Sequence, residues 1–562
     1  MDIRRTILWL IFSFSLLLLW NNWQTYTGQP SLFPGFTAEA SKSEETSSKK
    51  TDNDTSIPEN IAQKPSTATQ PEFSETVPAK QTPEPSPSEK VVVETDVYKL
   101  TFDTLGAQLV KAELKKFTGS DDKQNVMVLL DDSEQQVYLA QTGVVGAPEG
   151  KSYPTHLTPF RLLKLDQSET QTTVAFEAES DGVKVVKTFA LAPQQYDIKV
   201  SHEIFNEGNE TITPSVYLQL TRDGNDPPDS NFFYRTFVGP AVYSSEDKYQ
   251  KVKFSDINKD KASYIKESNN GWIAFVQHYF ASAWIPTEGA TRYNQIAHAD
   301  NLYFIRAIEP IGSINAGESR QIHSQLWVGP QDQKAMQEIA PGLDVVVDYG
   351  FLTIIAKPLF QLMTWLHSFV GNWGWTIVVL TLLIKLVFYP LSAASYRSMA
   401  KMKQVAPRLK LLREQYGDDR AKLNTAMMEM YRTEKINPLG GCLPMVVQIP
   451  VFISLYWVLL GSVEMRGAPW ILWIHDLAAT DPYFILPAIM MATMFLQIKL
   501  NPTPPDPMQA RVMMIMPLVF GGMMFFFPAG LVLYWCVNNI ISIAQQRYIM
   551  YKLDKETAEA NK

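Results

Sequence analysis

The chain has very little cysteine. Its two, Cys442 and Cys536, both fall inside apolar segments far apart in 562 residues, which leaves no pattern for a disulfide framework. An excess of positive charge is also missing. The formal net charge is −8, which argues against a general nucleic-acid binder, and no specific DNA binding is expected. His156, His202, His278, His298 and His323 are scattered without metal-ligand spacing and read as surface or hydrogen-bonded side chains. No nucleophile, metal cluster or phosphate loop stands out, so neither an enzyme nor a cofactor is called for. No small-x-small cleavage site follows the first apolar run, and no internal repeats or paired broken helices suggest a coupled transporter.

What is present is strongly segregated along the chain. Arg4 and Arg5 precede an apolar run from Ile7 to Trp20, with Trp20 and Trp23 as interfacial anchors. Residues 1–25 therefore read as an uncleaved signal-anchor helix with a cytoplasmic N-terminus. Residues 26–90, rich in Ser, Thr, Pro, Glu and Lys, read as a disordered tether. From 91 to 348, period-two runs such as VKVVKTFAL and YDIKVSHEIF alternate with turn signals including Asp181-Gly182. These predict a large antiparallel β-sandwich outside the cytoplasm.

Residues 349–370 suit an amphipathic helix along the membrane surface, and five apolar runs follow at 375–394, 438–462, 483–500, 510–527 and 530–549. Basic residues concentrate between the first two runs and flank the later ones where the positive-inside rule requires. The consistent solution is a multi-pass α-helical membrane protein of six transmembrane helices with both termini cytoplasmic. The core is placed at 371–550 and a cytoplasmic tail at 551–562. Within the core, residues 396–436 predict a cytoplasmic helical hairpin, bent near Pro407, with Asp418 or Asp419 capping its second helix. Arg397, Lys401, Arg408 and Arg413 give it a positive face suited to the anionic phospholipid bilayer.

One residue breaks the apolar pattern. Lys385 lies in TLLIKLVFYP, about ten residues from the cytoplasmic end of its predicted span. That is roughly 15 Å of rise at 1.5 Å per residue, so an ammonium there must face protein or water. Thr381 and Ser392 lie on the same face, and Gln448, Ser454, Thr493, Gln497, Asn538, Asn539, Ser542 and Gln545 bring polar groups to other spans. Helix-to-helix hydrogen bonding explains the amides. With a lysine added and no acid deep in another span, a water-filled groove is the better expectation. Seventeen of the 21 methionines fall at or after Met399, either as packing or as a deformable surface for apolar partners.

Asn437-Pro438-Leu439-Gly440-Gly441-Cys442, Pro444, Gln448 and Pro450 come in order before Trp473-Ile474-His475-Asp476-Leu477, Asp481-Pro482 and Phe527-Pro528-Ala529-Gly530-Leu531. In these the chain resembles the YidC branch of the YidC/Oxa family of membrane protein insertases, Gram-negative type, over nearly its whole length. The resemblance implies ATP-free insertion of nascent inner-membrane proteins, alone or with the Sec translocon. It implies a hydrophilic groove in which Lys385 and, one turn away, Thr381 receive acidic substrate segments, where relatives usually carry arginine. It matches Tyr534-Trp535 to the family's substrate-contacting pair, and the hairpin to an element contacting substrate and ribosome. A substrate-binding groove of Lys385, Thr381, Gln448, Tyr534, Trp535 and Asn538 is therefore expected, with a solute-coupled transporter or a tethered carbohydrate-binding protein as the rivals.

Overall fold

A computed structural model of the chain describes residues 88–119, 126–227, 236–416, 419–434, 443–501 and 507–560. The expected signal anchor, nearly all of the tether and the Asn437–Cys442 stretch lie outside the described residues. The period-two runs form two antiparallel nine-stranded sheets, as expected. One orders Lys90–Glu94, Tyr98–Asp103, Gln108–Thr118, Val126–Asp132, Val137–Val145, Ser215–Asp223, Leu302–Pro310, Arg292–Ala299 and Glu267–Ser268. The other orders Lys248–Lys251, Gly239–Ser244, Trp272–Val276, Phe280–Pro286, Ser319–Pro330, Asp197–Asn206, Val183–Leu191, Thr172–Ser180 and Arg161–Gln167.

Alternation sets the faces. In Val183–Leu191 every second residue is buried and joins the core between the sheets, apart from Lys187. The tight turn before that strand puts both Asp181 (φ 48°) and Gly182 (φ 77°) in the left-handed region, as a two-residue hairpin turn requires. Lys187 is 0% exposed, donating to the carbonyls of Gly106 (2.7 Å) and Thr142 (2.8 Å) under the ring of Phe160. Beside it the ring of His202 bonds Thr142 Oγ1, and that of His156 bonds the Tyr217 hydroxyl. His278 meets the Leu460 carbonyl, and His298 stacks on Tyr303.

Apart from the single turn Phe254–Ile257, the α-helices among the described residues are α1 (Gln333–Ile339), α2 (Thr353–Val370), α3 (Trp373–Val387), α4 (Tyr389–Tyr416), α5 (Arg420–Thr433), α6 (Leu443–Gly461), α7 (Ile485–Leu500), α8 (Pro507–Met523) and α9 (Ala529–Ala560). A second core cluster runs from the outer face of the second sheet (Trp272, Trp327) through Met336, Leu343, Val346 and Tyr349 into α2, α3, α6 and α9. Conversely Val463, just beyond α6, packs into the core between the sheets, and Arg466 donates to the Thr118 carbonyl at 2.7 Å. Sandwich and helices thus share side chains at their junction.

Several expectations change. The run 375–394 is two helices, α3 and the start of α4, bent by 65° at Phe388. The cause is Pro390, which has no N–H for the Leu386 carbonyl and whose ring disfavours continuing the helix before it. Lys385 therefore sits in the last turn of α3, and Ser392 belongs to the other arm of the bend. The first hairpin helix is continuous with that arm, and Pro407 lies inside α4 without interrupting it. Asp419 caps α5 through the Lys422 N–H (3.1 Å). Val405 and Leu409 are buried against Met402, Met427, Met430 and Tyr431. Helix α9 carries on through most of the expected tail, to Ala560. The exposed side of α2 is apolar as well as polar, presenting Ile354, Trp365 and Phe369. Among the described residues no single helix is long and apolar enough to cross a membrane, whereas the bent pair passes together.

Candidate functional site

Helix α3 starts on Asn372, whose side chain accepts from the Trp375 N–H (3.1 Å) and donates to the Pro469 carbonyl (2.9 Å). Gly374 is required next to it, because a Cβ there would lie 2.2 Å from Trp470. The segment holding Trp470 is itself fastened to the start of α9. Gly530 and Ala529 N–H donate to the carbonyls of Leu477 (2.9 Å) and Ala479 (2.7 Å). Asp481, buried, accepts from Trp473 Nε1 (3.0 Å), Tyr483 N–H (3.0 Å) and Leu486 N–H (2.7 Å). The motifs around Trp473, Asp481 and Phe527–Leu531 are thus one clasp that sets α3, α7 and α9 side by side.

From this clasp α3 runs to its break and delivers Lys385, 6% exposed, against α6 and α9. Its ammonium donates to Ser542 Oγ at 2.8 Å and to Gln448 Oε1 at 3.4 Å. A cation in the last turn of a helix is favoured by the carbonyls there. The Lys385 carbonyl, which the bend deprives of a helical partner, accepts from Gln545 Nε2 at 3.4 Å. Gln448 Nε2 in turn donates to Asn538 Oδ1 at 2.8 Å, and Ser542 Oγ donates to the Asn538 carbonyl at 2.7 Å. Among the described residues no carboxylate pairs with Lys385.

The residues singled out in the sequence do not all meet. Lys385, Gln448 and Asn538 come together in one network. Thr381 is buried and spends its hydroxyl on the Ile377 carbonyl of its own helix (2.7 Å). Tyr534 lies on the same face of α9 as Asn538 and Ser542, at intervals of four residues. Trp535 packs against Phe452 (4.4 Å between centroids) and Phe520 (5.1 Å), its indole nitrogen buried with no acceptor among the described residues. The exposed Arg397, Lys401 and Arg408 lie on α4 with Arg413, and Arg408 pairs with Glu434 at 2.5 Å. The expectation of water around Lys385 rested on there being no acid to pair it; among the described residues none does, and Ser542 and Gln448 are its neutral acceptors. Sequence reasoning counted Ser542 and Gln545 as polar without assigning them to Lys385; the spacing 538/542 was the available signal.

Comparison with known proteins matches the same two-part organisation. A family model described as YidC periplasmic domain covers residues 90–362, and one described as 60Kd inner membrane protein covers 365–556. A membrane protein insertase YidC of Bordetella parapertussis is 63% identical over 563 residues, covering 100% of both chains. That of Cupriavidus necator is 49% identical over 565 residues, covering 99% of each. A crystal structure of an active YidC insertase with its first transmembrane domain resolved covers 81% of this chain and 91% of its own, at 18% identity and a TM-score of 0.37. From the match along its full length to such relatives, the chain belongs to the YidC family of membrane protein insertases.

Proposed function

We propose that this protein is a membrane protein insertase of the bacterial inner membrane, and that Lys385 receives acidic residues in the substrate segment that must cross. Membership of the family supports the activity. The observation that carries the assignment to Lys385 is a buried cation held, among the described residues, only by neutral acceptors from α6 and α9. A charge at the bilayer centre costs several kcal/mol. A cation already placed there offsets part of that cost for an incoming carboxylate. The substrate's apolar helix then slides past Tyr534, Trp535 and Phe452 into lipid, driven by hydrophobic partitioning, with the membrane potential drawing acidic segments outward. No covalent step is involved.

In this reading the five-helix core and the signal anchor make six spans, both termini are cytoplasmic, and the sandwich is periplasmic. The α4–α5 hairpin lies on the cytoplasmic side, where its basic residues meet lipid headgroups, substrate and the ribosome. The Sec translocon is a partner in this reading. Helices of 15 to 19 residues measure roughly 22–28 Å, short of a hydrocarbon core of about 30 Å. Such a mismatch thins the bilayer locally and shortens the apolar path.

The test is insertion of an acidic-flanked single-span protein into proteoliposomes holding matched amounts of the unmodified protein, Lys385→Ala or Lys385→Arg. Loss with alanine and recovery with arginine are expected. Equal insertion by all three would remove Lys385 from the mechanism.

A further inference from the structure

The hydrogen bonds around Lys385 fix the polarity of its neighbours. An ammonium only donates, so each group facing it must present an oxygen. Ser542 directs its own proton to the Asn538 carbonyl (2.7 Å), which turns its lone pairs toward Lys385. Gln448 has two ends and must be held. With its NH2 forward it would oppose a donor; with Oε1 forward, its NH2 needs an acceptor of its own, and Asn538 Oδ1 provides one at 2.8 Å. The two bonds to the ammonium are unequal: Ser542 at 2.8 Å is close, and Gln448 at 3.4 Å is loose.

We infer that the Gln448 carboxamide is a placeholder for a substrate carboxylate on Lys385, kept with its oxygen forward by Asn538. The inference rests on the reading of Lys385 as receiver of acidic segments and adds what makes that reception selective. A carboxamide and a carboxylate have the same shape, so an incoming Asp or Glu takes the position of Gln448 while Ser542 keeps hold of the ammonium. The exchange replaces a long bond from the ammonium to a neutral carboxamide by an ion pair in which both partners are charged, which is shorter and stronger. A neutral substrate side chain offers Lys385 no more than Gln448 already does, so it gains nothing by displacing it. Gln448 thereby sets a threshold that acids pass and amides do not. Asn538 is a positioning residue, because its side chain bonds Gln448 and acts on Lys385 through it.

The experiment uses the full-length protein in proteoliposomes and two single-span substrates that differ only in Asp or Asn at one flanking position. The quantity read is the ratio of their insertion rates. The unmodified protein should favour the Asp substrate by about tenfold, the order that an ion pair in place of an ion–dipole bond supplies. Gln448→Glu supplies a resident carboxylate and should bring the ratio close to one. Asn538→Leu frees the amide to turn and should lower the ratio by about threefold. If Asn538→Leu reduces the amount of protein in the membrane, Gln448→Glu, which conserves shape, decides alone. A Lys385→Ala protein with the unmodified ratio would overturn the receiver reading itself. A ratio lost in Lys385→Ala but retained in Gln448→Glu would leave that reading standing and overturn the placeholder.

Discussion

Lys187 allows a quantitative test of the sandwich. It occupies an inward position of a strand whose other inward residues are Val183, Val185, Phe189 and Leu191. Burial pushes its ammonium down from 10.5 to about 7. In the unfolded chain the group keeps its ordinary value, so between about pH 7 and 10.5 the unfolded state binds more protons than the folded one. Stability therefore rises with pH through that window and is lost as pH falls from 10.5 toward 7. The slope approaches about 1.4 kcal/mol per pH unit, on the order of 5 kcal/mol across the window. Lys187→Met keeps the length of the side chain and removes the charge, at the cost of the bonds to Gly106 and Thr142. It should flatten stability between pH 7.5 and 9.5. Below pH 6.5 both proteins should weaken, because burial first, and then the charge of Lys187, lowers His156 to about 4 and His202 to about 3. Loss of the lysine softens that lower limb without abolishing it. The assay is equilibrium unfolding of the full-length protein in detergent, read by tryptophan fluorescence, for which the buried Trp272, Trp284 and Trp327 report on the sandwich. An unmodified protein with the same unfolding midpoint at pH 7.5 and 9.5, or a Lys187→Met protein that keeps the slope, refutes the reasoning.

Periodicity and charge made the sandwich and the helical runs legible, because each strand's alternation and each run's apolarity are local properties. Asp181-Gly182 announced its turn for the same reason. What stayed hidden depends on partners distant in sequence. The spacing that put Ser392 with Lys385 assumed a straight helix. Pro390, visible in TLLIKLVFYP, breaks it at Phe388. Once the helix ends there, the nearest acceptors for Lys385 come from α6 and α9, which no local pattern specifies. Lys187 was equally invisible: in VKVVKTFAL it reads as one more polar member of the alternation, yet its parity is that of the buried valines. The Trp473, Asp481 and Phe527–Leu531 motifs carried the family resemblance without a reason. The structure supplies one, because they are the two sides of a single clasp.

That clasp and the shared junction each give a further prediction. Asp481→Asn places an NH2 against donors that now converge on a carboxylate, and should cost about 2–3 kcal/mol, read as a lower unfolding temperature in detergent and less protein in the membrane. Asp481→Ala should be no better tolerated, and full stability in both would mean that the three bonds to Asp481 do not hold the clasp. The junction concerns how much of the sandwich insertion needs. Among the described residues the core between the sheets closes on itself, apart from Val463 and Ala478. By contrast α1 and the turns behind it give Met336, Leu343, Val346 and Tyr349 to the same cluster as Leu455, Val458 and Leu531 of the helices. Deleting residues 91–330 takes Trp272 and Trp327 from the sheet's end of that cluster but leaves Met336, Leu343, Val346 and Tyr349, whereas deleting 91–348 strips Met336, Leu343 and Val346 as well. Truncating large apolar side chains in a packed cluster costs about 2–5 kcal/mol each. The shorter deletion should therefore retain most insertion of a single-span substrate and the longer one should lose it, at matched protein levels. If both retain insertion, the helices hold their arrangement without α1. If both lose it, the helices need the sheet whose Trp272 and Trp327 belong to the same cluster, and the boundary of the functional unit moves from α1 into the sandwich.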